Sequence, residues 1–159
     1  MVNPFILFPE TGSGFDMDKL YAYYKFDASS GNIVNKASDV GSTDQIASVD
    51  IAITGATYSQ TGIIDEALSF DGTNDYGTVG TSTSAWKFFH GTGDWSINLW
   101  LNLTSYTNES RIITNMTAVE TSGFTFRFGG NTSNLGIAVT NDSGQFMANG
   151  DMAISPVFP

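Results

Sequence analysis

Nine residues constrain the fold most. In WSINLWLNL, apolar side chains recur at every second position, Trp95, Ile97, Leu99, Leu101 and Leu103, with Ser96, Asn98, Trp100 and Asn102 between them. A helix would scatter that set around its circumference, whereas an extended strand puts it on one face. The pattern returns along the chain. LYAYYKF sets Leu20, Ala22, Tyr24 and Phe26 against Tyr21, Tyr23 and Lys25; VDIAI aligns Val49, Ile51 and Ile53. ALSFD aligns Leu68 and Phe70, GFTFRFG aligns Phe124, Phe126 and Phe128, and LGIAVT aligns Leu135, Ile137 and Val139. Gly, Asn, Asp and Ser clusters bound each run, as they bound strands.

One apolar and one polar face per strand specifies antiparallel sheets around a shared core. Only STSAWKFFHG reads as helical, a single turn capped by Ser84. Parallel sheets need crossover helices, and the pattern offers none. The fold class expected is therefore all-β, an antiparallel two-sheet β-sandwich over residues 18–159. Residues 1–17 have no period and contain Pro4, Pro9, Gly12 and Gly14, so they read as an extended N-terminal arm. Phe5, Ile6, Leu7 and Phe8 are too apolar for a free tail. They are expected to dock on another subunit, making a homo-oligomer or a larger assembly.

Composition narrows the partners. Only 14% of the 159 residues are charged, against about 25% in an ordinary globular chain. The balance is acidic, six Lys and Arg against sixteen Asp and Glu, for a net charge of −10. Such a surface repels phosphate backbones and anionic lipid. No window approaches the roughly 20 apolar residues of a membrane span. There is no cysteine, which excludes disulfides and thiol chemistry. The first residues lack a basic segment, and Pro4 and Pro9 interrupt the apolar run, unlike a signal peptide. The expected location is extracellular or on a virion surface, with delivery by some other route.

EALSFDGTNDYGTV (66–79) reads as a strand, a turn at Asp71-Gly72 and Thr73-Asn74-Asp75, and a second strand from Tyr76, that is, a hairpin. It also resembles the AL-x-FDG-x-x-DYV-x-V segment of the LamG-like (laminin G, concanavalin A-like) jelly-roll domains. LYAYYKFDASSGNIVNKAS (20–38) is similar to that family's first strand and turn, and GDWSINLWLNL (93–103) to its D-F-T-I-S-A-W-V strand. The three segments occur in family order, and the resemblance covers residues 20 to about 140. The resemblance implies a jelly roll whose commonest role is binding a glycan or glycoprotein, often with a calcium ion. Gly77 departs from the pattern, standing where the family prefers an apolar residue. The later W-x-H-x-A-x-x-Y-D-G and Y-V-N-G segments do not occur. The sandwich is therefore expected to be incomplete on its C-terminal side: shortened, completed by other chains, or part of a longer protein. Asn149-Gly150 is the one late hairpin signal.

Catalysis finds little support. His90 is the single histidine and there is no cysteine, so a triad or a histidine metal site around it has little support. Glycosidases need two carboxylates on one face. Here Asp65 and Glu66 are adjacent and alternate, Asp71 and Asp75 flank a turn, and Glu109 and Glu120 stand alone. No enzyme activity is expected. Calcium takes six to eight oxygens. Asp71, Asn74 and Asp75 form one candidate set, and Asp27, Asn32, Asn35 and Asp39 another, with turn formation the favoured alternative for both. Tyr21, Tyr23 and Trp100, on the polar faces of their strands, and Trp86 in a loop are the candidate aromatic platform for a glycan. N-x-S/T sequences at Asn102, Asn108, Asn115, Asn131 and Asn141 are expected by chance in a Ser/Thr-rich chain and are assigned no role.

The fold leaves two roles open. One is a non-catalytic recognition or adhesion module. The other is a structural protein of a phage or viral particle, such as a head or tail decoration, with no ligand of its own.

Overall fold

The computed structural model describes residues 2–10, 19–42, 49–80, 86, 94–104, 110–115, 123–129, 134–140 and 146–153. They are mostly strand; no α-helix forms among them, and Ser38–Val40 makes one short 3-10 turn. The chain divides into two compact units, Met1–Thr81 with Gly93–Asn102, and Ser82–Thr92 with Leu103–Pro159. Every strand pairing is antiparallel. The fold is all-β.

The first unit holds β1 (Val2–Glu10), β2 (Ala22–Tyr24), β3 (Ile51–Thr54), β4 (Thr57–Thr61), β5 (Glu66–Ser69), β6 (Tyr76–Val79) and β7 (Asp94–Leu101). Much of the segment read as an arm is therefore a strand, and its backbone partners belong to this chain. β1 pairs with β7 from Val2↔Leu101 to Glu10↔Asp94, with β2 from Phe5↔Tyr24 to Leu7↔Ala22, and with β5 at Val2↔Leu68. The β1–β7 register shifts between Asn3 and Ile6. Pro4 lies in that interval; it has no N–H to give a ladder, and an irregularity is where a strand tolerates it. Residues 11–17 lie outside the described residues.

β2 and β5 both pair with β1, so β2 must turn away as β5 approaches. The chain does so at Phe26, whose φ of 58° is rare for a bulky residue. Burial holds it there: Phe26 is buried and its ring lies 6.4 Å from that of Tyr24. Leu20, Ala22, Tyr24 and Phe26 are all buried while Tyr21, Tyr23 and Lys25 are half-buried, the alternation read from LYAYYKF. Tyr24 anchors this core. Its hydroxyl donates to the Val49 carbonyl at 2.5 Å. Burial, with a smaller contribution from the Asp50 carboxylate, pushes its phenol far above the ordinary range. The other edge of β2 is closed by Asn35, whose Oδ1 accepts the N–H of Tyr23 (3.0 Å) and of Ala37 (3.1 Å). The Lys36 N–H donates to the Tyr23 carbonyl at 2.8 Å.

The 66–79 segment is not a hairpin. β5 pairs with β4 and β1, whereas β6 pairs with β3 from Ile51↔Val79 to Thr54↔Tyr76. The turn residues thus carry the chain from one sheet to another. Turn chemistry is the same for both outcomes; the partners decide, and β4 and β3 offer ladders that a β5–β6 pair would forfeit. Gly77 stands opposite Ile53, and a Cβ there would lie 2.7 Å from the Ile51 Cγ2. The isoleucines occupy the space that a side chain at 77 would need.

The second unit holds a four-stranded sheet in the order β11 (Phe146–Ala153), β10 (Asn134–Thr140), β9 (Gly123–Gly129), β8 (Arg111–Thr114). Phe124 and Phe128 are buried as their alternation predicts, whereas Phe126 is only half-buried and Thr125, on the opposite face, is buried. In β10, Val139 is buried as expected, but Leu135 and Ile137 on its face are only half-buried, and Gly136, Ala138 and Thr140 on the opposite face are buried as well. β10 is flanked on both sides, and side chains this small are covered by their neighbours. Asn149-Gly150 makes no turn. β11 runs through it, with Asn149 opposite Ala138 and Gly150 opposite Ile137. A continuous ladder on β10 replaces a two-residue loop.

Candidate functional site

The calcium set is built as a turn. The Asp71 Oδ1 accepts the Thr73 N–H at 2.7 Å and the Asn74 N–H at 3.4 Å, and the Asp75 Oδ2 accepts the Asp71 N–H at 2.8 Å. The other Asp75 oxygen fills the space above Gly55, where a Cβ would lie 2.0 Å from it. Both carboxylates thus serve the inter-sheet connection. The second set is dispersed. Asp27 pairs with Lys25 at 2.6 Å, Asp39 with Lys36 at 3.0 Å, and Asn32 is exposed. Asn35 is buried with its oxygen committed to two N–H groups, and its own N–H donates to Asp50 Oδ1 at 3.1 Å. Among the described residues no three His, Cys, Asp or Glu side chains gather into a metal-binding group. His90, Ser84, Glu109, Glu120, Asn108, Asn131 and Asn141 lie outside the described residues.

The aromatic candidates separate. Trp86 is 6% exposed, with its ring 6.5 Å from that of Phe124 in the second unit. Buried to this degree, it offers no platform. A tryptophan in a polar-looking loop gave no sign of this, since the residue it packs against is 38 positions away. Tyr21 and Tyr23 are half-buried, Tyr23 against Leu20 and Ala37. Trp100 is 51% exposed.

Register brings Tyr23 and Trp100 to one face of the five-stranded sheet. Tyr23 and Asn98 stand opposite Ile6 from the two sides of β1, and Trp100 is two residues beyond Asn98. Two strand spacings put the β2 and β7 positions on the order of 10 Å apart. Asn98 is exposed beside Trp100 and supplies an amide. Lys25, two residues beyond Tyr23, carries the charged group at this rim. Its Nζ lies 2.6 Å from Asp27 Oδ2 and 4.0 Å from Asp65 Oδ2. The hydrogen bond to Asp27 is the main cause, with the Asp27 charge next, of an ammonium pKa raised above its usual value. Sequence reading missed this cluster, because Asp65 is 40 residues from Lys25 and arrives only with the β4–β5 turn. Asp65 itself has φ 53° and closes that turn by accepting the Gly62 N–H at 3.1 Å.

Among the described residues no helix is long and apolar enough to cross a membrane. In comparisons with protein-family models, curated proteins and solved structures, the chain matches none.

Proposed function

We propose that this chain is a non-catalytic recognition or adhesion module that binds a glycan or glycoprotein, built as a LamG-like β-sandwich. One observation carries the reading: an indole half open to solvent on the face it shares with Tyr23 and Asn98. Burying an aromatic face of this size is strongly favourable, so a large exposed ring beside hydrogen-bonding groups suits a ligand with an apolar ring face and a hydroxyl rim. Sugars have that form. The motif order in residues 20–103 supports the same reading. The test is a glycan array with the full chain and Trp100→Ala. The expected result is binding to a defined set of glycans that the variant loses while its unfolding midpoint is unchanged. Equal binding by the variant, or none by the parent, refutes the reading.

A second reading, a structural component of a phage or viral particle, draws on a separate observation. Ile63 and Ile64, in the β4–β5 turn, are 71% and 51% exposed, and Tyr76 is 55% exposed. Apolar side chains of this kind are suited to contacts in an assembly. Light scattering decides: a fixed oligomer that Ile63→Asp dissociates favours assembly, and a folded monomer disfavours it.

A further inference from the structure

The charge of the chain is unevenly placed. The first unit contains twelve of the sixteen acidic residues but only three of the six basic ones, all lysines, so it carries −9 of the net −10. The second unit is close to neutral. The Trp100 face belongs to the first unit. Of its lysines, Lys25 is held by Asp27 and Asp65, and Lys36 by Asp39. The cation nearest the Tyr23 position is therefore flanked by carboxylates.

This arrangement has a chemical consequence. An ammonium engaged at 2.6 Å by one carboxylate, with another at 4.0 Å, presents no net positive charge to an incoming anion. A carboxylate or sulfate on the ligand would displace Asp27 from Lys25 or meet uncompensated acid. A neutral polyol meets neither penalty. Its ring face covers Trp100 and its hydroxyls accept from the Asn98 amide, and it brings no charge to the Lys25–Asp27–Asp65 cluster.

We infer that the Trp100 face selects neutral saccharides and discriminates against acidic ones, with the Lys25–Asp27–Asp65 cluster as the discriminating element. The inference rests on the recognition reading above and adds the class of ligand. Recognition here is of ring faces and hydroxyls, and the surrounding acid acts as a filter. Because the filter is electrostatic and exposed, salt weakens it.

The test is an array of immobilised oligosaccharides in which each neutral core stands beside its sialylated, sulfated or uronic acid counterpart, probed with the full chain. Neutral cores are expected to bind at least about tenfold tighter than their acidic counterparts at low ionic strength, with the ratio shrinking in 1 M salt. The double variant Asp27→Asn/Asp65→Asn, checked for an unchanged circular-dichroism spectrum, is expected to gain acidic glycans while keeping neutral ones. Lys25→Gln is the second probe and is expected to leave neutral binding within a few fold. Equal or preferential binding of the acidic counterparts, lost in Lys25→Gln, overturns the inference and leaves the recognition reading standing. Binding to no oligosaccharide overturns both.

Discussion

Tyr24→Phe isolates one buried contact. The substitution keeps the ring, its packing against Phe26 and its fully buried position, and removes the hydroxyl that donates to the Val49 carbonyl. A neutral hydrogen bond contributes about 1 kcal/mol net, and a buried carbonyl left without its donor costs about 1–3 kcal/mol. Val49 is 8% exposed, so water does not readily replace the donor. The expected loss is about 1–3 kcal/mol, or roughly 3–10 °C in melting temperature for a chain of this size. Urea and thermal unfolding followed by circular dichroism at pH 7 measure it. The pH dependence supplies a second readout. The folded-state pKa of Tyr24 is raised, so the folded chain keeps a proton that the unfolded chain releases near pH 10. The stabilisation is present below pH 10 and is lost as the pH climbs from there toward the raised folded value, at up to about 1.4 kcal/mol per pH unit. The wild type should show this alkaline loss, and Tyr24→Phe should lack that part of it. A stability change under about 0.3 kcal/mol with an unaltered alkaline slope would refute the reasoning.

Deleting residues 1–10 removes the strand that pairs with β2, β5 and β7; at about 1 kcal/mol net per ladder bond, the loss approaches the whole stability of a small domain. The first unit should lose its cooperative transition, and a truncated chain with wild-type melting would contradict the assignment of β1. Gly55→Ala places a methyl group against the Asp75 carboxylate at φ +83° and should cost about 1–2 kcal/mol, read as a lower urea midpoint at constant slope. Trp86→Ala should cost about 3–5 kcal/mol, while Trp100→Ala leaves the midpoint within about 0.5 kcal/mol; the reverse order would exchange core and platform.

Side-chain alternation reported which residues meet the core along Leu20 to Phe26, but in the most regular run the inward set Trp95, Ile97, Leu99, Leu101 and Leu103 is only half-buried. Phe124 to Phe128 follows the pattern only in part, since Phe126 is half-buried and Thr125, on the other face, is buried. Alternation carries no information about which strand lies alongside. That is why Asp71 to Asp75 read as a hairpin and proved to be a passage between sheets, and why Asn149-Gly150 read as a turn and proved to be mid-strand. β1 escaped notice because two prolines and a run of four apolar residues hide any period of two. β4, TYSQT, and β8, RIIT, are short and polar or irregular, with register shifts in both pairings. Of the candidate site, exposure of Trp100 was legible in its place between Leu99 and Leu101. Burial of Trp86 and the meeting of Lys25 with Asp65 depend on contacts far apart in sequence.

The pairing of β1 with β7 has a consequence for biosynthesis. Its partners are separated by 84 residues (Glu10 to Asp94) to 99 residues (Val2 to Leu101). A ribosome adding about 5–20 residues per second leaves VNPFILFPE without its longest ladder for roughly 5–20 s, an interval in which an apolar extended segment can pair with its copy on a neighbouring nascent chain. Pro4 and Pro9 flank FILF and interrupt any such intermolecular ladder, since neither can donate to it. Pro4 then falls in the register irregularity of the finished sheet, where the missing N–H does least harm. Replacing both prolines with valine would leave the finished sheet little changed and turn the waiting strand into a nucleus for inclusion bodies.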